Sequence, residues 1–263
     1  MKTLTALLLL LTIFSLPPAE NFYVVKVVGE VLCNNKTLKT GDKLTEENIL
    51  HFSGKEDKIY LLSPNDGYFL LSPGDQEKES KKWVVALKKA VIPQNKYYMT
   101  ATRSSNNFSS FEDVYDLMGF FREKVLIVNE TPFLYNTEKI PLDDKNYLLF
   151  SDLKGNKKVN LKIDNNSFSI AGDYKDETFQ LTYVTSAEKK EIGTFSLTTK
   201  SRKAISEELA VFFNNQSGKN SSAVYFEQIV PYISEAYGNT NMEVIKNIID
   251  KDLRVKVAKT NLP

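Results

Sequence analysis

The chain carries one histidine, His51, and one cysteine, Cys33. These residue types most often hold metals or act as nucleophiles near neutral pH, so their scarcity sets limits at once. Metal sites built on several histidines, and zinc-protease helices, cannot be assembled within one copy. A Ser-His-Asp triad would have to use His51, which lies in Asn48–Gly54, and no Gly-x-Ser-x-Gly elbow exists to serve it. Cys33 and His51 could in principle form a thiol dyad. No motif surrounds either residue, and a buried structural thiol is the expectation for Cys33. Ser53-Gly54-Lys55 resembles the end of a phosphate loop but lacks the upstream glycine. Acid pairs occur at Asp143-Asp144 and Glu207-Glu208. Glycosidase-like chemistry needs two carboxylates converging on a cleft, whereas acids adjacent in sequence are expected on a solvated face. No catalytic, cofactor-binding or metal-binding residue is assigned. The expectation is a protein that is not an enzyme and uses no cofactor.

Charge narrows the partners. Lys and Arg number 34 against 33 Asp and Glu, a net charge of +1, which lacks the basic footprint of a nucleic-acid binder. Hydrophobic residues make up 42% and charged residues 25%, an ordinary balance for a chain that buries a core. The first residues read as an export signal: Lys2 in a short basic start, an apolar run from Leu4 to Leu16, then Pro17-Pro18 and the small Ala19. The run is shorter than the roughly 20 apolar residues that cross a bilayer. Residues 1–19 are therefore expected to be removed, leaving no transmembrane span. Glu30-Val31-Leu32 before Cys33 is no lipobox, so lipidation is not expected.

The elements that must position any site change period along the chain. Phe22–Cys33 alternates Tyr23, Val25, Val27, Val31 and Cys33 on one parity, which predicts a strand interrupted at Gly29. Lys58–Ser63 and Tyr68–Ser72 flank Pro64-Asn65-Asp66-Gly67, a hairpin signature. Trp83, Ala86, Leu87, Ala90 and Val91 fall on one helical face that Pro93 ends. The lysines off that face could lie on a membrane surface, but a helix packed on the β-domain is preferred. Thr100–Ser110 is polar and reads as a linker, with a short helix starting at Ser110 and using Phe111, Val114, Leu117 and Met118.

From Lys124 short strands return, at Val125–Val128, Tyr147–Phe150, Val159–Ile163, Phe168–Ile170, Phe179–Val184 and Gly193–Leu197, with tight connections at Asp152–Lys157 and Asp164–Ser167. The tail is helical. Ile205, Leu209, Phe212 and Phe213 share one face; Phe226, Ile229, Val230, Ile233 and Tyr237 share another, with Pro231 bending or starting that helix. Gly238 is a C-cap, and Asn239 or Thr240 caps a last helix carrying Met242, Ile245, Ile248, Ile249 and Leu253.

Three features of Phe22–Pro73 resemble the FecR-type periplasmic β-domain. They are Val27-Val28-Gly29-Glu30-Val31 on the first strand, Leu38-Lys39-Thr40-Gly41-Asp42-Lys43-Leu44 at a turn, and Asp66-Gly67 before Tyr68–Leu71. The resemblance implies a periplasmic β-domain and transfers no functional residue. The rest resembles exported bacterial proteins. FecR-type regulators carry a cytoplasmic segment and a transmembrane helix before the domain, which this sequence lacks, so a sigma-regulatory role is not expected.

The combined expectation is an α+β protein: an N-terminal antiparallel β-domain over 20–99 ending in a connecting amphipathic helix, a linker at 100–110, and a domain over 111–263 with an antiparallel sheet and a helical tail. The expected role is a periplasmic or secreted binding or scaffold module whose partner is an envelope protein or polysaccharide. A hydrolase with paired carboxylates in a cleft and a peripheral membrane protein are the alternatives.

Overall fold

A computed structural model describes residues 20–74, 83, 110–129, 131–153, 155, 158–215 and 221–253. The export signal lies outside the described residues. So do the linker before Ser110 and all of the amphipathic helix except Trp83, which is helical. The protein is α+β, and its contacts divide it into two units, Met1–Val91 and Ile92–Pro263.

The first unit holds two antiparallel sheets. Strands β1 (Asn21–Val28), β4 (Lys43–Thr45), β6 (Lys58–Ser63) and β7 (Gly67–Leu71) run in the order β4-β1-β6-β7. Strands β2 (Val31–Cys33), β3 (Lys36–Thr37) and β5 (Leu50–Phe52) run β3-β2-β5. The stretch expected as one interrupted strand is thus two strands in different sheets, parted at Gly29, whose φ is 77°. Its facing also differs. Phe22 and Val24 are buried, and the register against β6 shifts between Val24 and Lys26. Val25 is the extra residue of that bulge, and a bulge breaks the two-residue period on which parity rests. The β6–β7 hairpin forms where expected. The buried Ser63 hydroxyl accepts from the Asn65 and Asp66 amides and donates to Glu20 Oε1 at 2.7 Å. Trp83 joins this unit's core: it is 2% exposed, meets Phe22 edge-on at 5.1 Å, and its Nε1–H donates to the Asn48 carbonyl. The indole that would anchor a membrane-surface helix is spent on packing.

Among its described residues the second unit opens on β8 (Ser110–Phe111), where a helix start was expected. Helix α1 (Val114–Phe120) starts later because the Asp113 side chain accepts from the Tyr115 and Asp116 amides. Leu117 and Phe120 are its buried residues, while Met118 is 36% exposed. Next come β9 (Glu123–Val128), β10 (Phe133–Tyr135), β11 (Tyr147–Asp152), β12 (Asn160–Asp164), β13 (Ser167–Ala171), β14 (Glu177–Val184) and β15 (Lys189–Lys200). The C-terminal strands form two sheets, β12-β13-β10-β8 and β11-β14-β15-β9. Both are largely antiparallel, and each ends in a parallel pair, β10 with β8 and β15 with β9. Sequence period does not report strand direction, and β9 pairs with β15 across five intervening strands that belong to both sheets.

Phenylalanines fuse the two sheets into one core. Phe111, Phe133 and Phe168 from the first stack near 5.5–5.9 Å, and Phe121 meets Phe150 and Phe195 of the second at 5.2 and 5.1 Å. Side chains on a strand alternate faces. Val125 and Ile127 of β9 therefore enter this core, while Leu126 and Val128, also buried, face the other way, toward the helices.

Those helices are α2 (Arg202–Asn214), α3 (Ser221–Val224), a π-helical turn (Tyr225–Ile229), α4 (Val230–Tyr237) and α5 (Met242–Lys251). Pro231 lacks the N–H that an α-helix would direct at residue 227, and the wider turn sits just before it, with the Val230 amide reaching the Tyr225 carbonyl. Ile205, Leu209 and Phe212 are buried as expected; Phe213 is only half-buried. The last helix is capped by Asn241, which accepts from the Glu243 amide, one residue beyond the positions expected. Asn239 and Thr240 are engaged elsewhere: Asn239 forms a parallel bridge beside Val125, and the Thr240 hydroxyl donates to the Leu126 carbonyl at 2.9 Å.

Gly238 makes that docking possible. Its φ is 79°, and a Cβ there would lie inside the contact radius of the Lys124 carbonyl oxygen. Gly238→Ala is expected to cost about 2–3 kcal/mol in urea unfolding, because both the backbone conformation and the space are denied. A neutral result would mean that the helices do not depend on this seam.

Candidate functional site

Strands β9 and β15 end together, at Val128 and Lys200. The chemistry of the second unit gathers at these carboxyl ends. Lys200 lies beside Val128 in register, so alternation turns its side chain toward the helices. Ser201 then caps α2, its hydroxyl accepting from the Ala204 amide. One face of α2 carries Ile205, Leu209 and Phe212, and Glu208 falls on that same face by the i, i+3, i+7 spacing. The helix that buries its stripe therefore buries a carboxylate, 4% exposed.

That carboxylate is fully committed. The Lys200 ammonium pairs with Glu208 Oε1. The Tyr232 hydroxyl donates to Oε2 at 2.7 Å and the Tyr237 hydroxyl to the same oxygen at 2.6 Å. Lys200 Nζ also lies 5.4 Å from the Tyr237 ring centre, close enough for a cation–π contact. A strand end, α2 and α4 are thereby tied through one side chain. Burial first, and then the Glu208 charge, push the Tyr232 hydroxyl well above the usual tyrosine value. Both oxygens of this acid are engaged, one by the lysine and one by two buried phenols, and little of it reaches solvent. It braces the fold.

On the solvent side of the same strand ends lies a cleft of about 390 Å³. Its walls are Val128, Asn129, Thr131 and Pro132 from the β9–β10 connection, Arg202 from α2, and Glu243, Val244 and Asn247 from α5. The Arg202 guanidinium is held in place: Nε and Nη2 grip both Asp252 oxygens at 2.7 and 3.0 Å, and Nη2 also reaches the Asn247 carbonyl and side-chain oxygens. Among the described residues, its Nη1 and the side chains of Asn129 and Thr131 make no hydrogen bond. The cleft presents the polar groups of Asn129, Thr131 and Asn247 and the exposed Glu243 carboxylate between apolar walls, with the Arg202 cation already countered by Asp252.

The residues weighed from sequence do not converge. Val31, Leu32 and Cys33 stand opposite Phe52, His51 and Leu50, so Cys33 and His51 occupy adjacent rungs and face opposite sides of the ribbon. Burial, then the Asp42 charge, raise the Cys33 thiol further above its ordinary value, away from a reactive thiolate. Glu207 is exposed beside Lys203 while Glu208 is buried, so this pair diverges. Asp143 closes its own loop, accepting from the Lys145 and Asn146 amides. No cluster of three metal-ligating side chains occurs among the described residues, and no described helix is long and apolar enough to cross a membrane. Sequence reading placed Glu208 with Glu207 on a solvated face, which its burial contradicts, and did not foresee the cleft. An acid spaced with Ile205 and Phe212 was the available signal for the first. The second depends on a parallel strand pairing that no local pattern reveals.

No family model matches the chain, and neither a curated protein nor a solved structure matches it.

Two outcomes follow from the buried groups. Glu208→Gln keeps one acceptor but removes the charge that holds Lys200, and should cost roughly 2–4 kcal/mol in urea unfolding. Tyr232 should contribute stability that is complete below its ordinary value of 10.0 and lost as pH rises beyond it, since only the folded state resists its ionisation. Tyr232→Phe should flatten that part of the alkaline limb; an unchanged limb would contradict the assignment. Cys33 should label with iodoacetamide more slowly than a free thiol at neutral pH and accelerate as pH rises past 9.0. Rapid labelling at neutral pH would reopen the dyad.

Proposed function

We propose that this chain is an exported binding or scaffold protein of the bacterial cell envelope, periplasmic or secreted, that holds a neutral hydrogen-bonding ligand in the Arg202 cleft without transforming it. The observation that carries the reading is the division of labour at the strand ends. Of the charged groups there, Glu208 is paired with Lys200 and Arg202 with Asp252, while Glu243 sets one carboxylate in the cleft wall. The Asn129 amide and the Thr131 hydroxyl, without a hydrogen bond among the described residues, line the cleft with Arg202 and the apolar Val128, Pro132 and Val244. Such a surface suits the hydroxyls and C–H faces of a polysaccharide segment, or the amides of an extended protein segment. The leader-like residues 1–19 support export, and the turns of the first sheet that resemble the FecR-type domain support an envelope setting.

The test is an NMR titration of the isotope-labelled chain with envelope polysaccharide fragments in one arm and extended envelope-protein peptides in the other. Amides at Val128–Asn129, Thr131 and Asn247 are expected to shift in one arm. Asn129→Ala and Thr131→Ala should weaken binding up to about tenfold each with unchanged melting, since neither side chain bonds within the fold. Shifts confined to other surfaces would move the site. Turnover of the ligand, lost in the same variants, would replace this reading with an enzymatic one.

A further inference from the structure

Strand β12 is the outer strand of its sheet, paired only with β13 among the described strands. Its last three residues are open: Lys162, Ile163 and Asp164 are exposed, Ile163 by 46%. An apolar β-branched residue on an unpaired edge invites another strand. A lone lysine there would normally repel a copy of itself, and the spacing to Asp164 reverses that effect.

The hydrogen-bond phase of the edge is fixed by the β12–β13 hairpin. Asp164 and Ser167 flank the two-residue turn Asn165-Asn166, which makes them a hydrogen-bonded pair. Alternation then directs the peptide groups of Lys162 and Asn160 inward to β13, and those of Ile163 and Leu161 outward. An antiparallel copy centred on Ile163 sets Ile163 against Ile163 with both outward N–H and C=O groups in bonding phase. In that register each Lys162 stands opposite an Asp164 of the other copy, on the same face. Neither side chain has a partner among the described residues, so both are available. A register centred on Lys162 would instead set like charges together and turn the central peptide groups away from each other.

We propose that β12 is the contact strand of a symmetric homodimer, in which two copies of Lys162–Asp164 pair antiparallel about Ile163. The occupant is a second copy of this chain because the strand is complementary to itself in charge and in hydrogen-bond phase. Antiparallel pairing of identical strands is two-fold by construction, so the contact closes at two copies. The inference is independent of the Arg202 cleft.

Sedimentation equilibrium of the purified chain from micromolar to millimolar concentration tests it. The mass is expected to move from one chain toward two. Lys162→Asp places like charges opposite each other at both ends of the pairing and should weaken the dimer about tenfold. The double variant Lys162→Asp with Asp164→Lys should restore it, which no general effect on folding would do. A wild-type chain that stays monomeric throughout, a dimer indifferent to Lys162→Asp, or a double variant that fails to recover would each overturn the proposal.

Discussion

A single buried carboxylate governs the second unit. Glu208 enters the interior because α2 must bury the stripe on which it sits, and a charge so placed is tolerable only if every lone pair is met. Lys200, Tyr232 and Tyr237 supply three hydrogen bonds to it from two elements, the end of β15 and α4. The phenols come from α4, which lies where it does because the chain turns at Gly238 and bonds to β9. The lysine arrives from the last residue of β15, whose parallel pairing with β9 sets its facing. Removing any one of these arrangements leaves the acid under-satisfied, so local choices far apart in sequence are bound to a common geometry.

The same strand ends carry the cleft, and this explains its character. Arg202 follows Lys200 by two residues and turns outward at the start of α2, where Asp252 and Asn247 from α5 fix it. Pairing within the fold counters Arg202 and leaves Asn129 and Thr131 as hydrogen-bonding groups on a formed backbone, beside the Glu243 carboxylate. Such groups recognise a ligand at little ordering cost, because the rigid supports beneath them are already formed. The proposed binding role rests on that economy of motion.

Much of the local structure was legible in the sequence. The β6–β7 hairpin, the Asp164–Ser167 connection and the helical stripes of the tail follow from turn residues and period. Three errors share a cause. A bulge at Val25 shifted the parity of the first strand, Asp113 delayed a helix that apolar spacing alone would start at Ser110, and Asn239 was drawn into a bridge instead of a cap. In each case hydrogen bonding to backbone groups, invisible to apolar spacing, decided the outcome. The candidate site was the least legible part. Its residues come from the β9–β10 connection and from α2 and α5, and only the parallel β9–β15 pairing unites them.

Native-state hydrogen exchange tests most directly whether Glu208 couples these elements. The account predicts that the slow amides of β9, β15, α2 and α4 share one opening free energy, and that Glu208→Gln lowers all of them by the same amount. If α2 and α4 instead open independently of the strands, or if the substitution affects α2 alone, the carboxylate is a local contact and the account is wrong.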